Sequence, residues 1–305
     1  MRGKGAQMTW DAYHKQDELL HITLMEGQAR VLLLTTRQLT QEAADIHGLT
    51  PVCAAALGRL MTGTLMMGAM LKGAGDSVTV TIKGGGPAGT LMAVSEPGRV
   101  KAYMDHPRVV FPLKPNGKLD VGGAVGREGR MTVVKDMGLK EPYIGQVEMK
   151  TGEIAEDFAF YFAKSEQQPS LVALGVLVAG EQVLGAGGLL MQPLPGCQED
   201  TLSQLELRSP LFSSISSELN YASPDELVTD WFRGLAPVIL ERRPLRYECG
   251  CGRERMERAL ISLGRKELTE LIREDKGAEL GCHFCHRRYA FTTQDLQALM
   301  EKASR

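Results

Sequence analysis

Four cysteines near the C-terminus place the tightest constraint on how this chain can fold. Cys249 and Cys251 form a C-x-C pair, Cys282 and Cys285 form a C-x-x-C pair, and thirty residues separate the two pairs. Two short pairs at the ends of a helical segment can bring four sulfurs together, and Zn²⁺ prefers a tetrahedral set of such ligands. Arginines follow both pairs and would offset the negative charge of four thiolates. We therefore predict that these four cysteines bind zinc.

The segment that carries the cysteines is short and polar. Residues 241–305 contain fourteen Lys or Arg against eleven Asp or Glu, with few large apolar side chains. A unit of this size usually needs a metal, a disulfide or a partner to stay folded. We expect residues 241–305 to form a small zinc-binding domain with two short helices.

Other uses of the cysteines are open at this point. His283 and His286 stand beside the second pair, and either imidazole could replace a thiolate, although the four sulfurs are the preferred set. One cysteine pair could instead be the active site of a thiol-disulfide oxidoreductase, or the unit could be a redox-independent zinc-ribbon interaction module. Clustered thiolates can also be oxidised to disulfides, so such a site can report an oxidant as an order-to-disorder transition.

In the first two thirds of the chain, short runs of alternating apolar and polar residues are separated by glycines. Residues 21–35 predict two strands around a turn, and Val78, Val80 and Ile82 alternate with polar residues, which indicates a sheet with one wet face. The other predicted elements are helices within 50–73 and 151–170 and a hairpin that turns at residues 180–182. We predict an α+β fold, with an N-terminal sheet-and-helix core domain over residues 17–195 and an antiparallel or mixed sheet.

An acidic segment follows this core. Residues 192–230 hold seven acidic residues and one basic residue, and Leu211, Ile215 and Leu219 repeat at helical spacing. We predict a helical linker over residues 196–240. It either packs as short helices on the first domain or forms a marginal helix that dissolves and exposes its leucines.

Composition excludes several classes of partner. The formal net charge of −2 provides no basic surface for nucleic acid. The N-terminus lacks the apolar stretch of a secretory signal, and the best apolar run, residues 171–191, is interrupted by Glu181 and Gln182, so we expect no membrane span. We therefore predict a cytoplasmic protein. In the cytoplasm thiols are kept reduced, and clustered cysteines are more often metal ligands or redox sensors than structural bridges.

A glycine-rich motif at residues 84–89 formally matches the dinucleotide fingerprint G-x-G-x-x-G. The strand before it alternates, however, and Pro87 and Pro97 leave no room for the long helix that such a site requires. We predict a glycine-rich turn and no nucleotide site.

The remaining thiols and methionines are predicted to have structural roles. Cys53 lies in an apolar helix and is expected to be inert, while Cys197 is expected to be a spare surface thiol. His47 and Cys53 lack a third orienting group, so they are not predicted to form a nucleophile and base. The methionines between residues 61 and 70 are expected to lie in the core.

Several motifs recur in the order typical of one family. They are IKGGGPAGTLMAV, VKDMGLKEPYIGQV, TGEIAEDFAFYFAKSEQ, CGCGRERMERALISLGRKEL and CHFCHRRYAF. Over residues 18–291 the chain resembles the redox-regulated heat-shock chaperone family of bacteria, whose members are zinc-binding holdases of about this mass. His283, His286 and Cys197 depart from what this resemblance leads us to expect.

The resemblance implies a chaperone and not an enzyme. In such proteins the cysteines matching Cys249, Cys251, Cys282 and Cys285 bind zinc and keep the protein inactive. Oxidation forms the disulfides Cys249–Cys251 and Cys282–Cys285, zinc is released, the C-terminal region unfolds and the linker is destabilised. The activated form is expected to be a homodimer that holds unfolding client proteins until ATP-dependent chaperones refold them.

Overall fold

The structure is a computed structural model and describes residues 16–302 of the 305-residue chain. One compact unit ends at Tyr247, and a second begins at Glu248. The strands of the first unit are β1 (Glu18–Leu24), β2 (Ala29–Thr35), β3 (Ser77–Lys83), β4 (Thr90–Glu96), β5 (Arg99–Met104), β6 (Arg130–Asp136), β7 (Tyr143–Glu148), β8 (Leu171–Ala179), β9 (Gln182–Pro193), β10 (Val238–Pro244) and β11 (Arg246–Tyr247). Its helices are α1 (Arg37–His47), α2 (Pro51–Ala69), α3 (Val121–Val125), α4 (Ala155–Lys164), α5 (Glu199–Glu206), α6 (Ile215–Tyr221) and α7 (Pro224–Trp231), with a 3₁₀ turn at Ser209–Ser214.

Two sheets form the framework of the first unit. A five-stranded antiparallel sheet has the order β10-β1-β2-β9-β8, and a six-stranded sheet has the order β11-β5-β4-β3-β6-β7. The second sheet is antiparallel except for the parallel pair of β11 and β5. The α+β prediction is confirmed, and the single predicted sheet is two sheets.

Helix α2 contacts strands of both sheets and lies in the main core. Met61, Met66 and Met67 are buried in it, as predicted. Gly63 permits its close approach to α4, because a Cβ there would lie 2.3 Å from the ring of Phe158. Among residues 16–302, α2 is the one helix whose length and composition would suit a membrane span, and 89% of that stretch is buried in the unit. The best apolar run in the sequence, residues 171–191, instead forms strands β8 and β9.

The linker helices cover the second face of the five-stranded sheet. In β2, Leu32 and Leu34 contact the main core, whereas Val31 and Leu33 join a second apolar cluster with α5, α6 and α7. Both faces of β2 are therefore buried, which explains its continuous apolar run where a half-exposed strand would alternate. Of the two arrangements considered for the linker, the structure contains short helices packed on the first domain.

The second unit is small. Its elements are α8 (Arg253–Leu263), α9 (Arg265–Glu270), a π-helical turn (Leu271–Asp275), β12 (Gly277–Gly281), β13 (Arg288–Thr292) and α10 (Thr293–Lys302), and β12 pairs with β13 as an antiparallel hairpin. Residues 241–247, which include the end of β10 and all of β11, belong to the first unit. The predicted division into residues 17–195, 196–240 and 241–305 stays a prediction.

Candidate metal centre

The C-x-x-C pair lies at the turn of the β12–β13 hairpin. The backbone N–H of Cys282 donates to the carbonyl oxygen of Arg287 at 2.9 Å, and the N–H of His286 donates to the carbonyl oxygen of Cys282 at 2.8 Å. His286 adopts a left-handed conformation with φ of 55°, which closes the turn. These local bonds orient the second pair toward the first.

The C-x-C pair precedes α8 and is attached to the hairpin by the arginine that begins this helix. The guanidinium of Arg253 donates to the carbonyl oxygen of Ala290 at 2.9 Å, lies 4.3 Å from the ring centroid of Phe291 and forms an ion pair with Asp295 at 3.0 Å. The basic residue after the pair therefore has a positioning role in addition to its charge.

The four predicted cysteines come together. The Sγ atoms of Cys249 and Cys282 are 3.6 Å apart, those of Cys251 and Cys285 are 3.3 Å apart, and all four lie within 4.8 Å of one another. Four sulfurs placed about 2.3 Å from a central Zn²⁺ would be about 3.8 Å apart at the corners of a regular tetrahedron. The donor set and its dimensions fit a metal ion held by four thiolates.

The electrostatics of the cluster favour a bound cation. Burial raises the pKa of Cys249, and hydrogen bonding to the neighbouring thiols Cys282 and Cys251 adds to the increase. Burial also raises the pKa of Cys285. At Cys251, burial acts in the same direction, but hydrogen bonds from Tyr289 and the neighbouring thiols outweigh it and lower the pKa to about 7. Four thiolates within this volume would repel one another, so holding all four requires a positive ion among them.

The other candidate residues lie outside the four-sulfur group. His283 and His286 are exposed and are not among the donor atoms found together within residues 16–302. Cys53 and Cys197 lie in the first unit, and all six cysteines, which fall within these described residues, are free thiols.

A family model described as Hsp33 protein matches residues 17–292. The chain belongs to the Hsp33 family. The resemblance to the heat-shock chaperone family is therefore confirmed over nearly the whole sequence.

Named relatives and a solved structure agree with this assignment. The chain is 44% identical to the 33 kDa chaperonin of Ruminiclostridium cellulolyticum over 94% of this chain and 98% of that one, and 42% identical to the 33 kDa chaperonin of Bacillus subtilis over 95% and 100%. The crystal structure of the 33 kDa chaperonin from Thermotoga maritima superposes with a TM-score of 0.86 at 32% identity, covering 95% of this chain and 99% of that one. These relatives carry the name of a chaperonin and not of an enzyme.

In this member of the Hsp33 family, the structure adds one site residue that the sequence interpretation missed. The hydroxyl of Tyr289 lies 3.2 Å from the Sγ of Cys251. The available signal was a tyrosine four positions after Cys285, on the strand that leaves the C-x-x-C turn. No spacing rule connects that position to Cys251, because the contact depends on how the two cysteine segments meet.

The glycine-rich motif of this Hsp33 chain allows close packing of two backbone segments. The N–H of Gly86 donates to the carbonyl oxygen of Val125 at 3.0 Å, and a Cβ on Gly84 would lie 2.4 Å from that same oxygen. The motif leads into β4 and not into a helix. Its glycines allow two backbone segments to touch, in agreement with the predicted turn.

His47 and Cys53 do not interact as a nucleophile and base. The Nε2 atom of His47 lies 3.0 Å from the carbonyl oxygen of Ala102, whereas the thiol of Cys53 contacts the carbonyl oxygen of His106 at 3.6 Å. Burial raises the pKa of the Cys53 thiol, which opposes formation of the reactive thiolate. The predicted inert role of Cys53 is in agreement with these contacts.

Proposed function

We propose that this member of the Hsp33 family is a cytoplasmic, redox-switched holdase, a chaperone that binds unfolding proteins and prevents their aggregation. The observation that carries the proposal is the contrast between the four-thiol cluster and the small apolar core around it. The buried apolar core of the second unit consists of Leu260, Leu268, Phe291, Leu296 and Leu299. A unit with so little core depends on a cross-link, and the thiols supply one that oxidants can remove.

In the reduced state, Cys249, Cys251, Cys282 and Cys285 are proposed to hold Zn²⁺ as thiolates. When bound in small metal-folded units, zinc contributes about 10–16 kcal/mol of folding free energy, which matches or exceeds the roughly 5–15 kcal/mol that stabilises a whole domain. The cluster joins the segment before α8 to the β12–β13 hairpin, so these residues close the unit on itself.

Oxidation removes the thiolate ligands. For each cysteine pair, two thiolates lose two electrons and form one S–S bond, while hydrogen peroxide takes up those two electrons and two protons from the solvent and becomes two water molecules. We propose the pairs Cys249–Cys251 and Cys282–Cys285, as the family resemblance implies. Disulfides offer no thiolates, so the second unit loses its cross-link and unfolds.

Unfolding of the second unit is proposed to loosen the linker. Helices α5, α6 and α7 cover an apolar face of β1, β2 and β9, and the buried side chains that they contribute include Leu205, Leu219 and Trp231. Their release would expose both the sheet face and their own apolar residues. Such a surface suits unfolding proteins, whose exposed apolar segments are what aggregates.

The partners follow from this activity. Unfolding client proteins bind the oxidised form, which we propose is a homodimer, and ATP-dependent chaperones receive the clients for refolding. Neither nucleic acid nor a membrane is a proposed partner, and no catalytic residue is proposed.

A test compares the zinc-loaded reduced protein with the peroxide-oxidised protein in suppressing aggregation of a thermally unfolding enzyme, followed by light scattering. The oxidised form is expected to suppress scattering at near-equimolar ratio and the reduced form to have little effect. Equal protection by both forms would contradict the switch. Turnover of a disulfide substrate would instead indicate an oxidoreductase, and redox-independent binding of one defined protein would indicate an interaction module.

A further inference from the structure

One hydroxyl group lies within hydrogen-bonding distance of a sulfur of the four-cysteine cluster. The hydroxyl of Tyr289 lies 3.2 Å from the Sγ of Cys251. A thiolate has no proton and can only accept a hydrogen bond, so in the thiolate state the phenol is the donor. No corresponding hydroxyl contact is found at Cys249, Cys282 or Cys285 among the hydrogen bonds of residues 16–302.

The position of this hydroxyl is set by the hairpin and not by the C-x-C segment that it contacts. Tyr289 pairs with Leu280 in the β12–β13 ladder, and its half-buried ring packs against the core of the second unit. The hairpin therefore holds the Tyr289 hydroxyl against one of the four sulfurs, that of Cys251.

We propose that Tyr289 is a positioning residue that makes Cys251 less reactive toward electrophiles than its neighbour Cys249. This inference rests on the proposed function, because it identifies which side chain controls one of the redox-sensing thiolates. In the zinc-loaded protein both sulfurs would already be thiolates, so the phenol changes only the nucleophilicity of the sulfur: a donated hydrogen bond withdraws electron density from its lone pair, which is the attacking group. The bond is lost when the hydroxyl is removed, while the aromatic ring and its packing stay.

The experiment measures the alkylation of single cysteines by iodoacetamide in the full-length, zinc-loaded chain. In each event the sulfur forms one S–C bond, the C–I bond breaks and iodide leaves. Trypsin releases residues 247–253, which contain both Cys249 and Cys251, and fragment-ion mass spectrometry separates their modification. In the Tyr289→Phe variant the ratio of Cys251 to Cys249 alkylation is expected to rise by about three- to tenfold, the effect of one lost hydrogen bond. The matched control is Tyr221→Phe, which removes a hydroxyl from an exposed tyrosine of the first unit and should leave the ratio unchanged.

Two results would overturn the inference. One is an unchanged ratio in Tyr289→Phe; the other is an equal rise at all four cysteines, which would mean a merely structural role. If Tyr289→Phe fails to fold, the wild-type protein decides the matter, because its Cys251 should be alkylated more slowly than its Cys249, and equal or faster alkylation of Cys251 overturns the inference. The alkylation ratio is measured without client proteins. Failure of the holdase test would therefore leave the inference standing, and failure of the inference would leave the holdase proposal untouched.

Discussion

The hydroxyl of Tyr247 donates a hydrogen bond to the carbonyl oxygen of Ala102 at 2.9 Å, within the six-stranded sheet of the first unit. The Nε2 atom of His47 lies 3.4 Å from the same hydroxyl. Tyr247 ends β11, and only Glu248 separates it from Cys249. The chain is therefore anchored in the first unit immediately before the C-x-C motif begins.

Tyr247→Phe is expected to weaken this anchor while leaving the metal centre intact. Loss of a buried hydroxyl that bonds a carbonyl oxygen should lower the free energy of unfolding of the first unit by about 1–2 kcal/mol. Urea denaturation of the reduced protein, followed by tryptophan fluorescence, measures this change, because both tryptophans precede Tyr247. Zinc content should match the wild type; loss of zinc with unchanged stability would contradict the expectation.

Cys282→Ser is expected to unfold the second unit in the absence of any oxidant. Three sulfurs and a serine hydroxyl form a poorer zinc site, and the small apolar core cannot replace the roughly 10 kcal/mol or more that bound zinc supplies. Zinc content should fall from about one ion per chain to well below one, and amide protection within residues 253–302 should be lost. The control is Cys197→Ser, which lies outside the cluster and should retain zinc. Retained amide protection in Cys282→Ser would show that the unit folds without the site.

Two quantities favour different disulfide pairings: the separation of the cysteines along the chain and the distance between their sulfur atoms. The shortest sulfur separations join the two motifs, Cys249 to Cys282 and Cys251 to Cys285. Once the unit loosens, however, closing the short loop within each motif costs less conformational entropy than closing one across 33 positions. Peptide mapping after peroxide treatment should find Cys249–Cys251 and Cys282–Cys285, the pairs that the family resemblance implies and that this entropy difference favours. Cross-motif disulfides would show that oxidation is completed before the unit unfolds.

Trp231→Ala is expected to loosen the linker without oxidation. Trp231 is buried in the second apolar cluster and makes an edge-to-face contact with Phe212, with ring centroids 5.3 Å apart. Truncating a buried tryptophan costs about 3–5 kcal/mol. The reduced, zinc-loaded variant should be cleaved faster within residues 196–235 and should suppress client aggregation. Leu207→Ala is the control, since Leu207 is 78% exposed. A loosened linker with no gain in protection would exclude this face as the client surface.

Asp17→Asn tests a buried carboxyl group in the first unit. Burial raises the pKa of Asp17 to about 7, although its Oδ2 atom accepts a hydrogen bond from the N–H of Leu39 at 2.8 Å and its Oδ1 atom has no hydrogen-bond partner. The unfolded chain releases this proton at the ordinary pKa of 3.8, so the folded state binds more protons between pH 4 and 7. Stability of the wild type should fall as pH rises through this range, by about 4 kcal/mol at most.

The Asp17→Asn variant should lack that part of the pH dependence and should be the more stable protein at pH 8. Free energies of unfolding from tryptophan fluorescence at pH 5 and pH 8 provide the comparison. The exposed Asp230→Asn is the control and should follow the wild type. Equal pH slopes for all three proteins would mean that Asp17 ionises at its ordinary pH in the folded state.

Many elements of the fold could be predicted from local sequence patterns. The alternation of Val78, Val80 and Ile82 produces β3 with one buried face, and the two strands within residues 21–35 form as expected. Both patterns depend on residues that are close in sequence, so they can be recognised without knowledge of the tertiary structure. The packing of the linker could not be predicted in this way. The spacing of Leu211, Ile215 and Leu219 predicts an apolar stripe on a helix but not the surface that covers the stripe.

The sequence by itself determined the candidate ligands and their chemistry, because two short cysteine pairs in a polar segment leave few ways to stabilise a small unit. Only the tertiary structure decided that Cys249 lies beside Cys282 and that the hydroxyl of Tyr289 lies beside the sulfur of Cys251. It also decided that the linker helices bury the second face of β2. These contacts join residues far apart in the chain, and their geometry is set by how helices and hairpins meet, which local periodicity does not encode.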